Sequence, residues 1–143
     1  MADNTTAFLK LLRWCEHHPH EPSDKDYKTM YGGGTFESFA DHPRTKVTKW
    51  NKTSTAAGAY QITVATFDEY KGKLALKDFS PESQDKITLA IIKQEKALDF
   101  IVAGQIEDAI KKLNRRWSSL PGGVHSKLKM PDALAKFEIY RNQ

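Results

Sequence analysis

Cysteine is nearly absent: the 143 residues contain one, Cys15. A lone thiol closes no intramolecular disulfide, so the fold must rest on its core, and such usage fits synthesis in a reducing cytosol. Long apolar runs are missing as well. The opening stretch MADNTTAFLKLLRWCEHH is broken by Lys10 and Arg13 and lacks the basic leader, continuous apolar run and small-residue cleavage site of a signal peptide. No window approaches the roughly 20 apolar residues of a membrane span, so stable membrane insertion is not expected. If the substrate lies outside the membrane, another protein must let this one through. Repeats, low-complexity tracts and convincing linkers are also lacking, which leaves residues 1–143 as a single domain.

What is present is a globular composition. Hydrophobic residues make up 39%, aromatics 10% and charged residues 28%, enough apolar surface for a core and too much for a disordered chain. The net charge of +4 and isoelectric point near 9.1 suit polyanionic partners such as nucleic acid, anionic membrane or wall polymer, and equally suit mere solubility.

Hydrophobic periodicity predicts a first helix, since Phe8, Leu11, Leu12 and Cys15 follow i, i+3, i+4, i+7 spacing. Thr5 or Thr6 is its expected cap, and Pro19 should stop it soon after Glu16. Helical pattern then disappears over a β-rich insert at about 21–59. There Tyr27 to Tyr31 and Thr35 to Phe39 read as extended, joined by the flexible Gly32-Gly33-Gly34 turn, and Asp41-His42-Pro43-Arg44 reads as a tight polar loop. Helices return from about Thr63, with Val64, Phe67 and Tyr70 to Leu74 as an apolar face. Ser80-Pro81 pairs an N-cap serine with a first-turn proline, and Ile87, Ala90, Ile91 and Leu98 carry that helix inward. Gly104 marks a stop. Ile106, Ala109, Ile110 and Leu113 form another helix, Ser118 to Gly123 a break, and Pro131 opens a last helix with Leu134, Phe137 and Tyr140 inside. The pattern alone predicts an α+β domain: a mainly helical lobe, a small β-rich lobe and, as such shapes usually have, a cleft between them.

Glu16 is the first candidate for chemistry. The carbonyl end of a helix and the neighbours Trp14 and Cys15 both disfavour negative charge, as a general acid at neutral pH requires. A solvated helix-end glutamate is the plain alternative. The second candidate is Ser54-Thr55-Ala56-Ala57-Gly58-Ala59-Tyr60-Gln61-Ile62. Its small residues let a ligand or another backbone approach closely, and Ser54, Tyr60 and Gln61 offer the polar groups a sugar needs; tight packing would look the same. His17, His18, His20 and Glu21 match no standard zinc spacing, and no cysteine pair accompanies them. Gly32-Gly33-Gly34 lacks the Lys-Ser or Lys-Thr of a phosphate loop, and no nucleophile elbow is present. Lys111, Lys112, Arg115 and Arg116 read as a solvated helix face or, less simply, a polyanion contact.

Taken together, several stretches in one order resemble the phage lambda-type endolysins, lytic transglycosylases of the lysozyme-like superfamily. They are Ala7-Phe8-Leu9 with Trp14-Cys15-Glu16, Tyr31-Gly32-Gly33 through Phe36, Asp41-His42-Pro43-Arg44, and Ser54-Thr55 with Ala57-Gly58 and Tyr60-Gln61. Leu76-Lys77-Asp78-Phe79-Ser80-Pro81 and Trp117 with Ser119-Leu120-Pro121-Gly122 complete the set. The resemblance spans about Ala7 to Gly122. It implies a lysozyme-like fold, Glu16 as catalytic acid/base, and Ser54, Tyr60 and Gln61 as substrate-binding residues. His17 and His18 stand where the family has glycine and threonine, and Lys28 where it has an acid. The implied activity is cleavage of the peptidoglycan glycan strand between N-acetylmuramic acid and N-acetylglucosamine, with a 1,6-anhydro product. No metal or organic cofactor, no nucleic acid and no partner chain is implied. The expected location is the host cytoplasm until release to the periplasm or wall. Two rivals stay open. A hydrolytic muramidase would recruit Asp41 or Glu37 as second carboxylate. A non-catalytic basic module would bind wall glycan or nucleic acid independently of Glu16.

Overall fold

The computed structural model describes all residues, Met1–Gln143. It is α+β, with two compact units: Met1–Pro22 together with Leu89–Gln143, and the inserted Ser23–Thr88. No helix is long and apolar enough to cross a membrane.

The first unit is helical. It contains α1 (Asn4–Glu16), the end of α3 (Pro81–Gln94), α4 (Leu98–Val102), α5 (Ile106–Leu113) and α6 (Met130–Arg141). Helix α1 packs on α4 and α6 through Ala7, Phe8, Leu11 and Leu12, each at most 1% exposed. Its cap is Asp3 rather than Thr5 or Thr6: the Thr6 N–H donates to Asp3 Oδ1 at 2.7 Å, so both threonines lie inside the first turn. Leu98 does not extend α3. That helix ends at Gln94, the backbone turns left-handed at Lys96 with φ 61°, and Leu98 opens α4. Gly104, at φ 80°, separates α4 from α5. In α6 the buried positions are Ala133, Phe137 and Tyr140, while Leu134 is half-buried.

The inserted unit differs more from the sequence pattern. Residues Asp24–Lys28 form a 3-10 helix, not a strand, and Asp26 accepts from the Ser23 N–H at 3.0 Å to start it. Only single bridges follow, Thr29 with Thr35 and Met30 with Ala57. The triple glycine makes a closed turn between them, with Met30 N–H donating to the Gly34 carbonyl and Gly33 N–H to the Met30 carbonyl. The two true strands are β1 (Val47–Lys49) and β2 (Lys52–Ser54), antiparallel with Val47 opposite Ser54. Their two-residue connection places Trp50 and Asn51 at φ 55° and 58°. Such hairpin turns favour glycine, so a tryptophan hides the signal.

Helix α2 (Val64–Leu74) and the start of α3 belong to this unit as well. The reason is a ring cluster. Phe67 of α2 meets Phe79 edge-on at 5.2 Å, and the His42 ring lies 4.8 Å from Phe79 and 5.7 Å from Phe67. Burying each phenylalanine contributes about 1.5–3 kcal/mol. The insert therefore runs to Thr88, beyond the 21–59 stretch expected from pattern.

His42 is 2% exposed and fully hydrogen-bonded. Its Nδ1 accepts from the Arg44 N–H at 2.9 Å, so Nε2 carries the proton and donates to the Ile62 carbonyl at 2.8 Å. This is the neutral ring. Burial pushes its pKa below the ordinary 6.5, outweighing the Ile62 carbonyl and the carboxylates of Asp41 and Asp68; Arg44 acts in the same direction as burial. The unfolded chain takes up this proton near pH 6.5, the folded chain only at lower pH. The stabilisation is thus complete above that value and is lost as pH falls through the folded pKa. We expect the melting temperature to drop between about pH 7 and pH 5, by roughly 2–4 °C per kcal/mol lost, and His42→Gln to flatten that slope. Thermal melts of both proteins across this window check it; parallel slopes would contradict it.

Candidate active site

Glu16 is the last residue of α1 and is half-buried. The helix ends there because His17 leaves helical geometry, its N–H closing on the Arg13 carbonyl at 3.0 Å, two residues before Pro19. The neighbouring Cys15 is 4% exposed. Burial first, then the charge of Glu16, push its thiol up to about 12, so it is no nucleophile at neutral pH.

The chain on either side of Glu16 is fixed to α6. Before it, the Trp14 indole is 9% exposed, covered by the Lys136 ammonium 5.1 Å from its ring and met edge-on by His18 at 5.2 Å. After it, Glu21 pairs with Lys136 at 2.7 Å and accepts from the Tyr140 hydroxyl at 2.9 Å. The Lys136 hydrogen bond holds the Glu21 carboxyl below the usual range. Glu21 remains 60% exposed on its side chain, so this pair contributes no more than about 1 kcal/mol, and the buried indole is the stronger anchor. With Glu21 and His18 so engaged, the His17–Glu21 stretch gathers no three metal-ligating side chains.

Among the other predicted site residues, Tyr60 and Gln61 share one tight turn. Ala57 and Ile62 exchange backbone hydrogen bonds of 3.0 and 2.8 Å, closing a loop through Gly58 at φ 85° and Gln61 at φ 51°. A side chain on Gly58 would run into the Gln84 carboxamide. Gln84, 0% exposed, is the brace of this turn. Its Oε1 accepts from Ala59 N–H at 2.9 Å, and its Nε2 donates to the carbonyls of Tyr27 and Phe79 at 3.0 and 2.9 Å.

Tyr60 is itself 0% exposed. That hydroxyl donates to Asp85 Oδ1 at 2.6 Å, where the Tyr27 hydroxyl also donates at 2.9 Å. Gln61 is half-buried, and its amide nitrogen donates to the carbonyls of Thr29 at 3.0 Å and Gly58 at 2.8 Å. The side-chain carbonyl is the group it can turn to a ligand.

Ser54 lies apart from that turn, at the end of β2. It is half-buried, and its Oγ accepts from the Ala56 N–H at 3.0 Å. With Lys46, Lys52, Thr53, Thr55 and Thr63 it lines a hollow of about 420 Å³.

Sequence reasoning missed Gln84, Asp85 and the lysines of the hairpin. Nothing local distinguishes Gln84 or Asp85 from the solvated face of α3, since all but one of their partners lie 25 to 58 residues away. The lysines had a signal: no acidic residue stands between Asp41 and Asp68. As for the candidate second carboxylates, Asp41 is bound by Arg44 at 2.8 Å, which also pairs with Asp68 at 2.6 Å. Arg44 holds Asp41 below the usual carboxyl range. Glu37 is exposed.

A family model described as Endolysin matches residues 6–141. The endolysin of Escherichia phage lambda is 39% identical over 138 residues, covering 92% of this chain and 87% of that protein. The endolysin of Escherichia phage P2 is 37% identical over 132 residues, covering 83% of this chain and 80% of its own length. A solved structure of bacteriophage lambda lysozyme in complex with a chitohexasaccharide superposes with a TM-score of 0.87 at 36% identity, over 98% of this chain and 95% of that one. A second structure of lambda lysozyme gives a TM-score of 0.84 at 34% identity, with the same coverage. The fold is therefore lysozyme-like, an enzyme is favoured over the non-catalytic module, and the chain belongs to the endolysin family of peptidoglycan-degrading phage enzymes.

Proposed function

We propose that this chain is a lytic transglycosylase, one catalytic domain over residues 1–143 that works as a monomer, with Glu16 acting as acid and then as base. The observation that carries the reading is the setting of Glu16: a half-buried carboxyl group at the carbonyl end of α1, fixed on both sides to α6. That setting holds the carboxyl group in place for proton transfer to and from a bound substrate.

The substrate is the glycan strand of peptidoglycan. Protonated Glu16 donates to the oxygen bridging C1 of N-acetylmuramic acid and the N-acetylglucosamine leaving group. As that bond breaks, positive charge develops at C1. The Glu16 carboxylate then takes the proton of the muramic C6 hydroxyl, and O6 attacks C1 to close the 1,6-anhydro ring. Glu16 ends protonated, as it began, and no water is consumed. Hydrolysis would use a second carboxylate, as a base for water or as a nucleophile. Of the candidates for that role, Asp41 is held by Arg44 as a weak base, which favours the internal attack. The Gln61 carbonyl and the Ser54 hydroxyl are the direct sugar contacts, and Tyr60 and Gln84 keep their backbone in place.

Glu16→Gln keeps the shape and removes the transferable proton. Cleavage of purified peptidoglycan should fall by at least about a hundredfold with an unchanged melting temperature, because general acid catalysis contributes ~10²–10⁴. Near-normal cleavage by the folded variant would remove Glu16 from the mechanism.

Mass spectrometry of the wild-type digest separates the two reactions. Muropeptides should end in 1,6-anhydro-N-acetylmuramic acid, lighter by one water than muramidase products. Mainly reducing-end muramic acid would make the enzyme a hydrolase and promote Asp41 or Glu37 to the second carboxylate.

A further inference from the structure

The run from Arg44 to Lys52 carries four cations, Arg44, Lys46, Lys49 and Lys52, and no acid. Two of the four are occupied within the fold. Arg44 is held by Asp41 and Asp68. Lys49 donates to the Gly32 carbonyl at 2.7 Å and covers the Trp50 ring at 4.8 Å. Lys46 and Lys52 make no ion pair; the only partner of the Lys52 ammonium is the Tyr31 ring at 5.8 Å. Both line the hollow that Thr53, Ser54, Thr55 and Thr63 complete.

The hydroxyl groups there are oriented by the backbone. Ser54 Oγ accepts from Ala56 N–H and Thr55 Oγ1 from Val64 N–H, each at 3.0 Å. With those acceptor positions filled, each O–H proton is left to donate. Thr63 differs, since its hydroxyl donates to Thr66 at 3.2 Å and caps α2. The hollow thus presents two ammonium groups and two hydroxyl donors. Like charges gathered around one space repel, and an anion between them reverses that repulsion. Neutral sugar hydroxyls and acetamido groups need no such pair of cations. Peptidoglycan does carry anions: the carboxylates of the peptide stems attached to its muramic acid residues.

We propose that the hollow beside β2 is a carboxylate subsite, in which Lys46, Lys52 and Thr55 bind the peptide stem next to the sugar-contacting Ser54 and make the enzyme prefer peptide-bearing over bare glycan. The proposal rests on the glycan-cleaving reading above and adds the part of the substrate that the hairpin recognises. Since both lysines are exposed, the interaction is screened by salt and governs KM more than kcat.

Two measurements test it. In the first, ¹⁵N-labelled protein is titrated with an N-acetylmuramyl peptide bearing free carboxylates, and with the same compound amidated. The free acid should shift the amide signals of Thr53, Ser54 and Thr55 saturably. Amidation of the probe, or the double variant Lys46→Gln/Lys52→Gln, should weaken binding by roughly tenfold, while Lys46→Arg/Lys52→Arg should retain it. Equal binding of the amidated probe, or shifts confined to other residues, would overturn the proposal. In the second, kcat/KM is compared on intact sacculi and on glycan stripped of peptide by an amidase. The wild-type preference for the peptide-bearing substrate should shrink at least fivefold in the Lys→Gln pair through KM, on the order expected for rim charges. An unchanged ratio would overturn it. If the wild type cleaves neither substrate, the glycan reading fails by itself, and the titration still decides the subsite.

Discussion

The burial of α1 is the constraint on which the rest of the molecule depends. Phe8, Leu11 and Leu12 are fully enclosed, and Trp14 and Cys15 continue that face into the final turn. A helix committed on so much of its length has little freedom at its end, so the residue that follows Cys15 is held rather than loose. Glu21 then returns the chain to α6 through Lys136 and Tyr140. A carboxyl group between two such anchors can be aimed at one atom of a substrate, which is what general acid catalysis needs.

The inserted unit applies a different device to a similar end. Its hydrophobic centre is small, the cluster of His42, Phe67 and Phe79, and a buried glutamine ties the surrounding loops together. Gln84 satisfies three backbone groups that would otherwise be buried without partners, at a cost of about 1–3 kcal/mol each. Gly58 lacks a side chain at the place where that carboxamide approaches. At Gly58 the smallness that in the sequence suggested room for a sugar is taken up by Gln84.

Much of the helical structure was legible in the sequence because its signals are local. The spacing of Phe8, Leu11, Leu12 and Cys15, the Ser80-Pro81 start and the Ile106–Leu113 face each depend on neighbours within two turns. The cap at Asp3 was missed because Thr5 and Thr6 are equally good capping residues. The β hairpin was missed because Trp50 and Asn51 occupy a turn that usually advertises itself with glycine, while the conspicuous Gly32-Gly33-Gly34 closes only a single bridge. The burial of Tyr60 was not legible for a general reason: composition shows that a hydroxyl is present, not which way it points. Its partner Asp85 lies 25 residues on, a distance no local pattern spans. Glu16 stood out through its place at a helix end and through the motif resemblance, neither of which needs long-range contacts.

The central claim is that Glu16 addresses the bridging oxygen of the glycan. A crystal structure of the Glu16→Gln protein with a bound peptidoglycan fragment tests it most directly. The account predicts the residue-16 carboxamide about 2.6–3.2 Å from the oxygen between N-acetylmuramic acid and N-acetylglucosamine, within reach of the muramic C6 hydroxyl. A glycan bound with that oxygen against another carboxyl group, and with residue 16 beyond hydrogen-bond distance, would contradict it.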